Sequence, residues 1–313
     1  MTDLTNGARL TGHEFCRKEG GTKMTRGLVA VLGLVAAFAL MLPAAASSQG
    51  TFTLSSFGTA AIDGQLSAGE WPATGVAIPL TLGGSATIYA MNDGTTLYLA
   101  AQLPTGNLPS VEFRFDNDQD GNQPGSEVGD DGLLWVPGGI CPAGCDTHRT
   151  ATGVGVGDAG FGGTNDLTLA SSASGGTRTV EFAHPLNSAD DAHDFSLAAG
   201  DTVGVLALVR VGVNMGSVLG DITIASPPAS TQLTALRELV ASLDIHHGIA
   251  KALDSKLRAA LAALEADDTA GTCTALQDFR NLVKAQTGKK LSAGQAEDLT
   301  DAAIHIGEQI CFD

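Results

Sequence analysis

Positive charge is scarce in this sequence: 17 Lys and Arg stand against 34 Asp and Glu in 313 residues, for a formal net charge of -17. That balance repels nucleic-acid phosphates and anionic lipid headgroups, so neither is expected as a partner. Lysine is missing altogether between residues 47 and 230, where four arginines face nineteen acids, whereas residues 231–313 hold eight bases against twelve acids. Such a change in charge density marks two domains. Large aromatic rings are few, with 2 Trp and 2 Tyr. Catalytic signatures are missing too: there is no Gly-x-Ser-x-Gly elbow, no His-Glu-x-x-His and no Gly-x4-Gly-Lys. The glycine-rich stretch 153–163 lacks the strand-turn-helix frame of a dinucleotide site. A chain without enzymatic activity is the expectation.

No apolar run reaches the roughly 20 residues of a spanning helix. Gly27–Leu42 is apolar for about sixteen residues, follows Met24-Thr25-Arg26 and leads through Pro43 to Ala44-Ala45-Ala46, which reads as a secretory signal peptide cleaved before Ser47. Residues 1–46 are therefore expected to be a leader with its start at Met24, and the mature chain to be secreted, extracellular or at the cell surface, without a membrane span; an uncleaved anchor is the alternative. The leader's five bases and three acids leave -19 on the remainder. Beyond Cys16, the cysteines are Cys141, Cys145, Cys273 and Cys311, an even number in an exported chain. Local pairing, Cys141 with Cys145 and Cys273 with Cys311, is expected. For Cys141 and Cys145 a zinc site with His148 is the alternative, three ligands where a structural zinc takes four.

From residue 51 onward short β-prone runs alternate with Gly, Asn and Asp, as an all-β sandwich requires. The expected strands are 52–57, 76–82, 86–91, 96–102, 111–115, 132–136, 166–169, 179–182 and 203–211, with 153–163 and 171–176 as loops. Asn92-Asp93-Gly94 signals a hairpin. The run Val111-Glu112-Phe113-Arg114-Phe115 alternates inward and outward and leads into the acidic stretch 116–127. There Asp116, Asp118 and Asp120 occupy loop positions one, three and five, Gly121 six, Asn122 seven and Glu127 twelve, the register of a calcium loop. Ca2+ is the expected ion, with Asp130 and Asp131 as additional candidates. His184 and His193 could be ligands or bases, but without a partner motif they read as surface or hydrogen-bonded structural histidines.

After the Pro/Ser stretch 225–230 the period changes from two to nearly four. Leu233, Leu236 and Val240, then Ile249, Leu253, Leu257, Leu261 and Leu264, then Leu276, Phe279 and Val283, then Leu299, Ala303, Ile306 and Ile310 form four apolar stripes. Ser292 and Gln295 have the spacing of a capping box. The fold expected is multidomain: an all-β sandwich of jelly-roll or immunoglobulin-like type over 47–224, the linker, and an all-α four-helix bundle over 231–313.

Two families are resembled. Ala61-Ile62-Asp63-Gly64 through Glu70-Trp71, Ala86–Ala90 with Asp93 and Leu97–Ala100, the acidic loop, Val180-Glu181-Phe182 through Leu186, Asp194-Phe195 and Gly200–Val205 together look like family-9 carbohydrate-binding modules and DOMON-type sandwiches. The resemblance implies a sandwich that often binds calcium and, in its sugar-binding members, clamps a glycan between exposed aromatic rings. Trp71 and Trp135 are the rings available for that work, and a buried core position is the alternative for each. Related sandwiches of the ethylbenzene dehydrogenase type hold a b-type haem, for which Met91 with His184 would be the ligands here. Residues 231–313, through Lys256-Leu257, Ala275-Leu276, Phe279, Val283, Gly288-Lys289-Lys290-Leu291 and Leu299, resemble the FIMAH domain, although Arg280 departs from its pattern. The resemblances imply a binding module for an extracellular polysaccharide or cell-surface protein. A structural or adhesion component and a haem-binding redox domain are the alternatives.

Overall fold

The computed structural model describes residues 52–117, 123–126, 128–138, 141, 143–150, 155–160, 162–188 and 193–311; the expected leader lies outside them. In chain order the strands are β1 (Phe52–Leu54), β2 (Val76–Pro79), β3 (Ser85–Asn92), β4 (Thr96–Pro104), β5 (Pro109–Asp116), β6 (Asp131–Trp135), β7 (Cys145–Arg149), β8 (Gly155–Gly157), β9 (Thr168–Ser174), β10 (Thr177–Pro185), β11 (Thr202–Val211) and β12 (Asn214–Thr223). A 3-10 turn, Asp158–Gly160, follows β8. The strands form a 7-stranded sheet, β1-β12-β11-β5-β6-β7-β8, and a 5-stranded sheet, β2-β3-β4-β10-β9. Every pairing is antiparallel except β1 with β12.

Period-two alternation explains the core. Val111, Phe113 and Phe115 of β5, Leu133 and Trp135 of β6 and Val203, Val205 and Val209 of β11 face Ile88, Leu97, Leu99, Val180 and Phe182 of the other sheet. Phe113 and Phe182 meet edge to face, ring centroids 5.5 Å apart, an arrangement favoured by the ring quadrupoles. The outer face of the 5-stranded sheet buries a smaller cluster, Trp71, Met91 and Ala100, packed with Ala60, Leu66, Tyr89 and Tyr98. That face is covered by the chain before β2.

Three strands were not expected: β7, β8 and β12, and β9 runs on through residues taken as loop. Close packing, not propensity, decides β12. A side chain at Gly216 would meet the Pro79 carbonyl at 2.5 Å, and one at Gly220 the Phe52 carbonyl at 2.4 Å, so the glycines that weaken the sequence signal are what admit the neighbouring backbones. In β7, Asp146 and His148 stand where apolar side chains would be expected.

The helices are α1 (Ala229–Ser242), α2 (His247–Glu265), α3 (Thr269–Gln286) and α4 (Ala293–Ile310). The extended linker therefore ends at Pro228, the residue before α1. Leu233, Leu236, Val240, Leu253, Leu257, Leu276, Phe279, Val283, Leu299 and Ile306 build one core, which confirms the four stripes. Ser292 accepts from the Gln295 N–H while the Gln295 side chain accepts from the Ser292 N–H, closing the expected box. Both expected disulfides are present, Cys141–Cys145 and Cys273–Cys311. No helix among the described residues is long and apolar enough to cross a membrane.

Candidate metal centre

At one end of the sandwich the inward positions change from apolar to charged. Asp131 pairs with Phe115 and with His148, and Asp146 with Leu133; paired residues share a face, so Asp131, Asp146 and His148 all point between the sheets. The 3-10 turn adds Asp158, and the segment after β10 adds Asp194. From the opposite sheet His184 enters on β10, paired with the core residue Leu97. Asp131, Asp146, Asp158, Asp194 and His184 are each at most 6% exposed. One oxygen from each of the four carboxylates lies within 4.8 Å of those of the others, and Asp146, His184 and Asp194 form an overlapping group. This cluster could hold a metal ion.

Each carboxylate is held from one side. Asp131 Oδ1 accepts from the Gly132 N–H at 2.5 Å, Asp194 Oδ2 accepts from the Ser188 hydroxyl, Asp146 Oδ2 lies 2.8 Å from His184 Nε2, and Asp158 Oδ1 lies 2.5 Å from His148 Nδ1. The second oxygens, Asp131 Oδ2, Asp146 Oδ1, Asp158 Oδ2 and Asp194 Oδ1, are buried without a hydrogen-bond partner. Electrostatics register the crowding. Burial first, then the charges of Asp146, Asp194 and Asp158, raise the Asp131 carboxyl well above its ordinary value. Burial lifts Asp158, and lifts Asp194 to about 6, with Asp146 adding to both. For His184 burial acts downward, but the hydrogen bond to Asp146 and the charges of Asp146 and Asp194 outweigh it and the ring is raised. Its Nδ1 lies 2.7 Å from the Pro185 carbonyl, which can only accept. Nδ1 therefore carries a proton, and sharing Nε2 with a carboxylate favours a second.

Of the expected calcium ligands, Asp118, Asp120, Asn122 and Glu127 lie outside the described residues. Asp116 ends β5 and is 6% exposed; it follows the inward Phe115, so it points to the other face of the sheet, away from the cluster. Asp130 accepts from the Ser126 N–H at 2.9 Å. Asp131, expected beside that loop, belongs instead to the interior group. The signal was its phase: Asp131 alternates with Leu133 and Trp135, which puts a carboxylate on the apolar face. Asp146 and Asp158 lay in stretches with no apolar alternation to set a phase.

Trp71 is 8% and Trp135 1% exposed, so neither presents a ring face to solvent. Trp71 Nε1 donates to Glu181 Oε1 at 3.0 Å, and the Arg178 guanidinium lies over the Trp135 ring at 5.4 Å. The zinc alternative falls because the Cys141 and Cys145 thiols are consumed in their disulfide. The haem alternative falls on topology: Met91 pairs with Tyr98 on the outer face, whereas His184 pairs with Leu97 and points into the core. A sheet separates the two would-be ligands.

No curated protein matches. A family-9 carbohydrate-binding module from Caldicellulosiruptor kristjanssonii in complex with glucose is similar at 14% identity, with 56% of this chain and 97% of that one covered and a TM-score of 0.39. A putative carbohydrate-binding protein from Bacteroides uniformis is similar at 9% identity, with 56% and 99% covered and a TM-score of 0.38. At those scores neither carries an argument about ligand or mechanism. The helical end is better defined: residues 230–306 match the family model of the FIMAH domain.

Proposed function

We propose that this protein is a secreted, non-catalytic module whose sandwich is stabilised by calcium and attaches to an extracellular polysaccharide or cell-surface protein. The observation that carries the reading is a meeting of segments at Glu181. Its carboxylate accepts from the Asp63 and Gly64 N–H groups at 3.0 and 2.6 Å and from the Trp71 indole. The Ala61–Trp71 opening and the Val180–Phe182 strand, on which the resemblance to family-9 modules rests, are thus joined through one buried carboxylate. The FIMAH match at 230–306 supports an accessory, attaching role. Calcium would sit in the loop from Asp116 to Glu127, held by Asp116, Asp118, Asp120, Asn122 and Glu127, since oxygen ligands at that spacing suit a hard cation.

The test is a pull-down of the purified protein on soluble and insoluble polysaccharides with calcium and with chelator, glucans first. Retention on at least one glycan that weakens with chelator supports the proposal. The burial of Trp71 and Trp135 favours, as a second reading, a structural or adhesion component with no small ligand. Absence of retention across a broad glycan panel would establish that reading over the first.

A further inference from the structure

We propose that Asp131, Asp146, Asp158 and Asp194 form an interior cation site, separate from the 116–127 loop, that binds one hard divalent ion of the Ca2+ class and ties the two sheets together. Four carboxylates, each at most 6% exposed, converge at one end of the core. Buried like charges repel unless protons or a cation offset them, and the single ring of His184 cannot balance four carboxylates. The arginines of the sandwich are engaged elsewhere: Arg114 and Arg149 contact Glu112, Arg178 lies over Trp135, and Arg210 donates to the Gly212 carbonyl.

The pattern of partners is that of a metal shell. Each carboxylate gives one oxygen to a positioning donor, respectively the Gly132 N–H, His184, His148 and the Ser188 hydroxyl. Each keeps its other oxygen buried without a hydrogen bond, Asp194 Oδ1 lying 3.9 Å from His184 Nε2. Ligating carboxylates are held in this way by outer-shell hydrogen bonds, which aim the free oxygen at the ion. Structural carboxylates in an ordinary core would use both.

Ligand chemistry selects the ion. The orphaned atoms are all oxygens, which suit Ca2+ and Mg2+ better than a softer metal. His184 spends Nδ1 on the Pro185 carbonyl and Nε2 on Asp146, and His148 spends Nδ1 on Asp158, so these three nitrogens each hold an oxygen of the protein. Mg2+ keeps several waters and takes one or two carboxylates, whereas Ca2+ accepts six to eight oxygens in flexible geometry, which fits four carboxylates.

Topology gives the consequence. Asp131, Asp146 and Asp158 belong to β6, β7 and the turn after β8, the short-stranded end of the 7-stranded sheet, while Asp194 follows β10 of the other sheet. An ion among them would link both sheets where β7 and β8 have few ladder hydrogen bonds. Phe115 of one sheet and Phe195 beside Asp194 close the apolar side, with centroids 4.9 Å apart.

The experiment counts ions in the full chain after exhaustive dialysis, by mass spectrometry of the metals, and measures melting with calcium and with a strong chelator. Asp118→Ala with Asp120→Ala disables the surface loop; Asp158→Asn with Asp194→Asn disables the interior group. One calcium per chain retained by the loop variant, with a melting point that chelator still lowers, supports the interior site. Its loss in a folded D158N/D194N chain supports it further; if that variant does not fold, the ion count of the loop variant decides. A loop variant that holds no calcium and melts identically in chelator overturns the proposal. Zinc in place of calcium, lost in His184→Asn, would also overturn it. Wild type and loop variant each holding one calcium would instead remove the loop site and leave the interior one standing.

Discussion

Glu181 is fully buried, and the fold tolerates it because three donors converge on it: two backbone N–H groups and the Trp71 indole. Burial raises its carboxyl, while the hydrogen bonds from Gly64, Asp63 and Trp71 act downward. Trp71→Phe keeps most of the ring's packing but leaves Glu181 Oε1 short of a donor. A loss of about 1–3 kcal/mol is expected for the orphaned acceptor, measured by denaturant unfolding. A change within 0.3 kcal/mol, roughly the noise of such fits, would show that this bond is not what holds the opening segment. Asp93 supplies a pH-dependent test. Burial alone would raise its carboxyl, but bonds from Thr95, Tyr98 and Thr96 hold it below 3.8, and burial together with Asp93 raises the Tyr98 phenol above 10.0. The Asp93 contribution is thus full above pH 3.8 and is lost as pH falls through the lower folded value; the Tyr98 contribution is full below pH 10.0 and is lost as pH rises through the higher one. Asp93→Asn should lower stability by about 1 kcal/mol at neutral pH, with the deficit vanishing in strong acid. A deficit constant from neutral pH to strong acid would assign the effect to the turn backbone alone.

In the helical part, covalent and capping devices supplement a modest core. Cys273 lies one turn into α3 and Cys311 just past α4, and their bond closes a loop with a sequence separation of 38. The chain-entropy relation gives about 4 kcal/mol for a loop of that size. Cys273→Ser with Cys311→Ser should therefore lower the stability of the bundle by several kcal/mol, seen as a fall in its melting temperature by circular dichroism at the helical band; an unchanged temperature would show that the bond adds nothing. Ser292→Ala removes one half of the α4 capping box, and a loss of about 1 kcal/mol is expected. Gln295→Ala removes the other half. Because the two halves are reciprocal, the double variant should lose less than the sum of the singles.

At the scale of the molecule, the main core of the sandwich, drawn from described residues up to Ile224, and that of the helices, drawn from Leu233 onward, share no residue. Domains with separate cores are able to unfold separately. Calorimetry should resolve two transitions, one lowered by chelator through the acidic sites of the sandwich and the other lowered by reductant through Cys273–Cys311. A single transition that both agents move together would mean that the cores unfold as one unit. Burial of Trp71 and Trp135 also predicts a fluorescence spectrum of buried indole, unchanged by oligosaccharides unless binding rearranges the sandwich.

Elements whose side chains repeat were legible in the order of residues alone: the inward alternation of β5 and β11, the four helical stripes, the α4 capping box and the even set of cysteines with local partners. Periodicity fixes which face of a strand or helix is apolar, and spacing along the chain fixes what a tight turn can join. The order of residues left β12 hidden, because Gly216 and Gly220 are explained only by the Pro79 and Phe52 backbones that press against them. It also left the acidic cluster hidden, because Asp131, Asp146, Asp158 and Asp194 are spread along the chain from position 131 to position 194 and come together only when β6 pairs with β7 and the second sheet closes over both. Local rules determine the direction in which a side chain points; only tertiary packing decides which distant side chains share the space it points into, and how many charges that space must hold.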